Sequence, residues 1–247
     1  MDRIAYWAAV LVATALAGGC VTTRTEKTVA ASAATGFIDK TMTVGGKQLA
    51  YNVYVPRGYD ASKKWPLIVF LHGRGERGSD GLLQTDVGIG HAIRKDPERF
   101  PCIVAMPQCP GDGGWLERHD VIDETIARSL AEFNIDKKRI YLTGLSMGGY
   151  GTWSYGAAHP ETFAALIPIC GGGQTTDAPA LAKVPIRVFH GGADSVVNPS
   201  ASRAMVEAVK KAGGDIEYTE YPGVNHNSWD NAYGDPEVIK WLLNKTR

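Results

Sequence analysis

The order of hydrophobic and polar residues predicts an antiparallel hairpin followed by a series of buried strands. Residues 37–44 and 47–55 alternate apolar with polar side chains, and Gly45 and Gly46 between them are typical of a β-hairpin turn. Short apolar runs further along are typical of strands buried on both faces. Core strands are therefore predicted at 66–71, 102–106, 140–144, 164–169, 185–190 and 215–221.

Helices are predicted between these strands. The segment 119–133 repeats apolar side chains at helical spacing on one face: Val121, Ile122, Ile126, Leu130 and Phe133. Further helices are predicted from just after Ser146 to His159-Pro160, at 199–212 and at 236–245. Strands that alternate with helices imply an α/β class with a mostly parallel sheet and helices on both faces. Ligands then bind at the carboxyl ends of the strands.

The first 20 residues have the pattern of an export signal. Arg3 precedes an apolar run at 4–16, which is too short to span a bilayer comfortably. The segment 17–20 (AGGC) resembles a bacterial lipobox, which implies lipidation of Cys20, and Val21 favours sorting to the outer membrane by resemblance to other lipoproteins. Two alternatives stay open: release as a periplasmic or secreted protein by an ordinary signal peptidase, or an uncleaved anchor.

The rest of the chain is predicted to be a polar linker and one catalytic domain. Residues 21–35 are small and polar without apolar periodicity, and residues 36–247 are long enough to bury a sizeable core. The 26 basic and 26 acidic residues give zero net charge, and no basic tract suggests binding to nucleic acid. We therefore expect membrane contact only through the N-terminal lipid, and a monomer or weak homo-oligomer.

Three cysteines remain if Cys20 is lipidated. Cys102 and Cys109 lie at the two ends of one predicted extended segment, too far apart for a disulfide. We predict that these two residues and Cys170 are buried free thiols, although a Cys109–Cys170 disulfide stays open as an alternative.

A candidate nucleophile lies in the segment 144–148 (GLSMG), which fits the pattern G-x-S-x-G. It follows a buried strand and precedes a helix, which is the context that this motif requires. The turn is so sharp that side chains at the flanking positions would collide with neighbouring elements, and glycine removes them. The pattern predicts Ser146 Oγ raised above the sheet at the positive end of a helix.

Two further residues complete a candidate catalytic triad. Asp194 follows the fifth core strand and His226 follows the sixth, so both are expected at the same sheet edge as Ser146. The chain order Ser, acid, His is that of the α/β hydrolases. In such a triad His226 takes the proton from Ser146, and Asp194 orients the imidazole and stabilises its cation. Alternative acids (Asp177, Asp230) and bases (His72, His159, His190) lack this position.

The nucleophile also needs an oxyanion hole. The backbone N–H of Met147, directly after Ser146, is one predicted donor. The loop after an early strand, 72–75 (HGRG), supplies the other, and we assign it to the N–H of Arg74. His72 is expected to shape this loop.

Three residues are predicted to bind substrate. Trp115 lies in a Gly-rich loop after a core strand, and Trp229 lies three residues past His226, so their indoles could stack on an aromatic acyl group or a sugar. Gln108 ends a strand beside the oxyanion loop and could donate a hydrogen bond. Arg74, Glu76 and Arg77 are expected at the rim of the site, either binding an acidic or sugar substrate or pairing only with each other in solvent.

Four segments together resemble a known family: FLHGRGERG, GLSMGGYGTW, HGGAD and NHNSWD. They are similar to small secreted esterases of the α/β-hydrolase superfamily, described as predicted peptidases or phospholipase/carboxylesterase-like proteins and related to feruloyl esterases and polyhydroxybutyrate depolymerases. The resemblance covers residues 36–247. It implies the α/β-hydrolase fold with a minimal lid, no metal or organic cofactor, and a triad at Ser146, Asp194 and His226.

The resemblance implies hydrolysis of short-chain acyl or hydroxycinnamoyl esters, such as feruloyl or acetyl groups on plant cell-wall polysaccharide, or of small molecules. Two other functions stay as alternatives. A serine peptidase of the prolyl-oligopeptidase type uses the same triad, but such enzymes usually carry a gating domain. A catalytically silent binding lipoprotein would be expected to lack at least one triad member.

Overall fold

The computed structural model describes residues 34–247, which form a central sheet with helices on both sides. The strands in this range are β1 (Gly36–Val44), β2 (Lys47–Val55), β3 (Trp65–Leu71), β4 (Ile103–Pro107), β5 (Ile135–Leu145), β6 (Ala165–Ile169), β7 (Ile186–Gly191) and β8 (Ile216–Tyr221). The helices are α1 (Gly88–Lys95), α2 (His119–Glu132), α3 (Met147–Ala158), α4 (Ala178–Leu181), α5 (Ser200–Lys211), α6 (Trp229–Gly234) and α7 (Pro236–Leu243).

The sheet is mixed, with strand order β1-β2-β4-β3-β5-β6-β7-β8. The hairpin β1–β2 is antiparallel, and β2 pairs antiparallel with β4. All remaining neighbours are parallel. Gly45 and Gly46 both adopt positive φ in the hairpin turn, a conformation that suits glycine. The predicted fold is confirmed.

The two faces of the sheet bury two separate apolar clusters. In β3, Leu67 and Val69 join one cluster, whereas Ile68 and Phe70 join the other. Successive side chains of a strand point to opposite faces, so a strand covered on both sides must be apolar at every position. This explains the continuous apolar runs in the sequence.

The parallel strands bring four loops to one edge of the sheet. The loops after β3, β5, β7 and β8 carry Arg74, Ser146, Asp194 and His226, respectively. Since the carboxyl ends of parallel strands share an edge, residues far apart in the sequence meet there.

Three details differ from the sequence prediction. Helix α1 was not predicted, because Gly88 and Gly90 weaken its helical signal. Helix α6 starts at Trp229, within a segment expected to be a loop. Strand β5 begins at Ile135, five residues before the predicted start, and Ile135 pairs with Trp65 on β3.

Several predictions concern residues outside the described range. The signal segment at 1–20, lipidation of Cys20 and most of the linker at 21–35 stay predictions. Within residues 34–247, no helix is both long enough and apolar enough to cross a bilayer.

Cys102, Cys109 and Cys170 are buried and free, as predicted. The alternative disulfide between Cys109 and Cys170 is therefore wrong. Burial raises the pKa of the Cys109 thiol to about 11 and that of Cys170 to about 12, so both stay protonated at neutral pH.

Candidate active site

Ser146 lies at a strained turn between β5 and α3. Its backbone has φ 52° and ψ −116°, a conformation that non-glycine residues rarely adopt. The Ser146 N–H donates to Ile169 O at 2.9 Å, which ties the turn to the end of β6. The side chain is therefore held at the sheet edge, where the G-x-S-x-G motif predicted it.

Glycine allows helix α3 to begin directly against strand β3. A methyl group built on Gly148 would overlap the carbonyl oxygen of Leu71 and would lie 2.8 Å from His72 O. These obstacles are backbone atoms, which cannot rotate away. The absence of a side chain at position 148 therefore brings the first turn of α3 next to the loop that starts at His72.

The structure brings Ser146, His226 and Asp194 together in a continuous relay. His226 Nε2 lies 2.9 Å from Ser146 Oγ, and His226 Nδ1 lies 2.7 Å from Asp194 Oδ2. Both distances are those of hydrogen bonds with good geometry for proton transfer. The arrangement allows the imidazole to accept the hydroxyl proton while the carboxylate holds its Nδ1–H.

Asp194 is fully surrounded by donors. Its Oδ1 accepts from the N–H groups of Val196 at 2.8 Å and Val197 at 2.9 Å. Burial raises the pKa of this carboxyl, but the hydrogen bonds from His226 and the two backbone N–H groups outweigh burial and hold the pKa below its ordinary value. Asp194 therefore stays ionised beside the imidazole at neutral pH.

A second histidine supports Asp194 from behind. His190 Nε2 lies 3.2 Å from Asp194 Oδ2 and 2.9 Å from Val197 O, and its Nδ1 lies 2.7 Å from Ser202 Oγ. Two oxygen acceptors facing Nε2 require a proton on that nitrogen. His190 contacts Asp194 and not Ser146, so its role is to position the carboxylate. No pattern in the sequence distinguishes it from an ordinary core histidine.

Asn225 joins the two loops that carry Asp194 and His226. Its side-chain oxygen accepts from Ser195 N at 3.0 Å and from His226 N at 2.8 Å. The ring of Trp229 packs edge-on against the His226 ring, with centroids 5.4 Å apart. Trp229 thus braces the imidazole, and it is not among the residues that line the cleft at Ser146.

The loop after β3 passes close to the nucleophile. A methyl group built on Gly73 would lie 3.7 Å from Ser146 Cβ, and Arg74 and Met147 line the same cleft as Ser146. Met147 is the first residue of α3, where the N–H has no acceptor within the helix. The backbone positions agree with an oxyanion hole formed by the N–H groups of Met147 and Arg74, and this assignment stays a prediction.

His72 holds that loop in place. Its Nδ1 contacts Gly73 O at 2.6 Å, its Nε2 accepts from Cys109 N at 2.9 Å, and its carbonyl accepts from Trp115 Nε1 at 2.9 Å. Burial lowers the pKa of His72 to about 4. The imidazole is therefore neutral at pH 7, with the proton on Nδ1.

The depressed pKa of His72 makes folding stability depend on pH. Unfolded, the imidazole binds a proton below about pH 6.5, whereas the folded imidazole resists protonation until about pH 4, so acid favours the unfolded chain. We expect the free energy of unfolding to fall by about 2 kcal/mol from this group between about pH 7 and pH 5. Urea unfolding of the wild type and of His72→Gln measures this loss.

His91→Gln is the matched control, because His91 is exposed on α1. In the control, the free energy of unfolding should vary with pH as steeply as in the wild type. In His72→Gln it should vary less steeply. NMR titration of the His72 ring in the wild type tests the same point if the variant folds poorly. Equal slopes in all three proteins, or a ring that titrates near pH 6.5, would contradict the expectation.

The open cleft beside Ser146 has a volume of 400 Å³. Its lining includes Tyr150 on α3, which was not identified from the sequence. Tyr150 follows Ser146 by four residues, and residues at this spacing share a helix face. The helical spacing could therefore have identified it. The remaining lining comes from the oxyanion loop, the segment 113–117, Ser146, Met147 and Val197.

Two predicted substrate contacts lie in buried positions. Trp115 is among the residues that line the cleft, but it has no exposed surface, and its indole N–H donates to His72 O. Gln108 is also buried: its Oε1 accepts from Gly81 N at 2.7 Å, and its Nε2 donates to Glu76 O at 3.0 Å. Both side chains therefore stabilise the loops around the site, because their polar atoms are already paired inside the protein.

The described residues contain one cluster with the donor types of a metal site. Cys170 Sγ lies within 4.8 Å of ligand atoms of Asp194 and His226. His226 Nδ1 is already hydrogen-bonded to Asp194 and His226 Nε2 to Ser146 Oγ. A metal ion bound to His226 and Asp194 would have to replace the hydrogen bond between them, so this arrangement fits a proton relay.

Comparison with known proteins places this geometry in a family. The sequence model of the dienelactone hydrolase family matches residues 113–235. The crystal structure of a thermostable esterase superposes with a TM-score of 0.79 and 37% sequence identity, covering 85% of this chain and 63% of that chain. The chain has the α/β-hydrolase fold. Within this fold, the chain is similar to feruloyl esterases and polyhydroxyalkanoate depolymerases.

Two curated relatives illustrate the similarity. The hydrolase is 24% identical to poly(3-hydroxyalkanoate) depolymerase C of Paucimonas lemoignei, over 77% of its own chain and 56% of the relative. It is 26% identical to a probable feruloyl esterase C of Aspergillus terreus, over 52% of its own chain and 48% of the relative. The chain thus spans about half of the length of these two curated relatives.

Proposed function

We propose that this hydrolase cleaves carboxylic esters through an acyl-enzyme on Ser146. The observation that carries the proposal is the relay from Asp194 through His226 to Ser146 Oγ, with hydrogen bonds of 2.7 and 2.9 Å. The relay ends in an open cleft that a substrate can enter. A silent binding protein would have no need to hold a serine in a strained backbone conformation.

In the first half of the reaction, Ser146 Oγ attacks the ester carbonyl carbon while His226 Nε2 takes the hydroxyl proton. The negative charge that develops on the carbonyl oxygen is stabilised by the N–H groups of Met147 and Arg74. The tetrahedral intermediate then collapses. The bond to the alcohol breaks, His226 returns the proton to the leaving oxygen, and the acyl group stays on Ser146.

In the second half, water replaces the alcohol. His226 accepts a proton from the water as its oxygen attacks the acyl carbon, and the same N–H groups stabilise the second oxyanion. The bond to Ser146 Oγ breaks, the serine recovers its proton from His226, and the carboxylic acid leaves. Asp194 stays ionised throughout and stabilises the imidazolium at each step.

We propose short-chain acyl or hydroxycinnamoyl esters as substrates, from plant polysaccharide or small molecules. The apolar lining from Leu116, Met147 and Val197 supports an apolar acyl group. One similar protein is named a probable feruloyl esterase, which supports the hydroxycinnamoyl variant.

An ester panel tests this proposal. We expect the purified protein to hydrolyse p-nitrophenyl acetate, butyrate or octanoate, or methyl ferulate, and to leave a peptide p-nitroanilide intact. The relative kcat/KM of methyl ferulate and the acetate measures the preference for an aromatic acyl group. Turnover of the anilide alone would indicate a peptidase, and no turnover of any compound would indicate a binding protein.

A further inference from the structure

We propose that Arg74 and Arg77 form a subsite for an anionic group of the substrate, so that the preferred esters carry a carboxylate on their acyl or alcohol part. This proposal rests on the proposed esterase activity and specifies its substrate class. Both arginines line the 400 Å³ cleft that also contains Ser146. A charge held there lies next to the scissile ester.

Neither guanidinium has an acidic partner. Among the ion pairs within 4.0 Å formed by residues 34–247, none includes Arg74 or Arg77. Arg118, further along the loop that flanks the cleft, differs in this respect, because its Nε lies 2.9 Å from Asp120. The sequence left open whether Arg74, Glu76 and Arg77 pair with each other in solvent, and among residues 34–247 Glu76 forms no ion pair with either arginine.

Arg77 is positioned by neutral groups only. Its Nε donates to Arg74 O and its Nη1 donates to Gly113 O, both at 3.2 Å. These two bonds tie the guanidinium to the oxyanion loop and to the segment 113–117, which also lines the cleft. They leave its positive charge uncompensated and its Nη2 without a partner among the described residues. A guanidinium with free N–H groups binds carboxylates in a bidentate manner.

Two acidic side chains lie near the cleft. Glu117 lines the cleft and folds over Gly114, where a methyl group would lie 2.9 Å from its Oε2. Glu76 points inward, with its Oε2 buried without a hydrogen-bond partner and 4.0 Å from His72 Nδ1. Neither carboxylate forms an ion pair with Arg74 or Arg77, so both guanidinium groups stay available to an anionic group of the substrate.

Part of the cleft lining is apolar. Leu116 is 54% exposed, and Met147 and Val197 also line the cleft. A cleft with an apolar side and two guanidinium groups complements a substrate that is itself amphipathic, with a hydrocarbon part and a carboxylate. A neutral ester fills only the apolar side.

Matched ester pairs test the subsite. Mono-p-nitrophenyl adipate and p-nitrophenyl hexanoate have acyl chains of equal length and differ in a terminal carboxylate against a methyl group. The pair 3-carboxy-4-nitrophenyl butyrate and p-nitrophenyl butyrate places the carboxylate on the alcohol side. We expect kcat/KM for the anionic member of one pair to exceed that of its neutral partner by about tenfold at low salt, the effect of one partly exposed charge-assisted hydrogen bond.

The variant Arg77→Gln and the double variant Arg74→Gln/Arg77→Gln should abolish this preference. The intrinsic reactivity of each ester is the same for every variant, so comparing the anionic-to-neutral rate ratio of a variant with that of the wild type removes it. Arg77→Lys, which keeps the charge and loses the planar fork, should keep part of the preference. Arg57→Gln is the control: Arg57 is exposed at the opposite edge of the sheet, so both rates should equal those of the wild type. In the wild type, about 0.5 M NaCl should weaken the preference by screening.

The outcomes separate two failures. Hydrolysis of neutral esters with no preference for either anionic ester, or a preference that survives in the double variant, would overturn the subsite and leave the esterase intact. Absence of turnover for all four esters would overturn the proposed function and the subsite with it. A preference in only one pair would support the subsite and show whether the charge belongs to the acyl or the alcohol part.

Discussion

Replacing Ser146 with alanine is expected to lower kcat for ester hydrolysis by about six orders of magnitude. The hydroxyl of Ser146 forms the acyl-enzyme and lies 2.9 Å from His226 Nε2, which takes its proton. Residual catalysis of about a thousandfold over the uncatalysed reaction should remain, because the oxyanion donors and the cleft stay in place. Steady-state hydrolysis of p-nitrophenyl butyrate measures the loss, and mass spectrometry after reaction with a phosphonate probe locates the modified residue.

Ser154 offers a matched control for this substitution. It lies on the same helix, α3, and its Oγ contacts His119 Nε2 at 3.2 Å, away from the relay. Ser154→Ala should keep kcat within about twofold of the wild type, as expected for a change outside the site. More than a hundredth of wild-type activity in Ser146→Ala, or probe attached to another residue, would remove Ser146 from the mechanism.

Replacing Gly148 with alanine is expected to destabilise the protein by about 3 kcal/mol or more. The new methyl group would overlap Leu71 O and would lie 2.5 Å from the Leu71 carbonyl carbon, so helix α3 has to move away from β3. That shift would also displace the N–H of Met147, which we assign to the oxyanion hole. The urea midpoint and the yield of soluble protein measure the loss of stability, and kcat of the folded fraction measures the displacement.

Gly58→Ala is the matched control for Gly148→Ala. Gly58 is exposed, and a methyl group built there meets no atom within 4 Å. Its unfolding free energy should stay within about 0.5 kcal/mol of the wild type. A Gly148→Ala protein with the urea midpoint and kcat of the wild type would show that α3 does not need this close approach.

The structure separates the rigid parts of the site from its selective part. Ser146, Asp194 and His226 are held by backbone hydrogen bonds, by Asn225 and by the ring of Trp229. The cleft wall is formed by loop residues whose side chains have fewer partners. The triad side chains are each held by several contacts, whereas the cleft side chains are not. We therefore expect substitutions in the cleft wall to change substrate preference more readily than they change the catalytic steps.

The class of fold and the identity of the candidate triad follow from the amino-acid sequence alone. Apolar runs such as 66–71 depend only on which faces of a strand are buried, and this is a local property of the pattern. The order of Ser146, Asp194 and His226 was sufficient because each follows a strand, and parallel strands bring their carboxyl ends to one edge. Chemistry and connectivity together left few alternatives.

Which side chains near the triad are free to contact a substrate depends on tertiary packing. Trp115 and Gln108 follow strands just as the triad residues do, yet both are buried with their polar atoms paired. Arg74 and Arg77 lie among several acidic residues in the sequence, yet neither forms an ion pair within residues 34–247. Burial and hydrogen bonding of these side chains depend on how loops from several strands pack together. The spacing of residues in the sequence does not show which side chains those loops bring into contact.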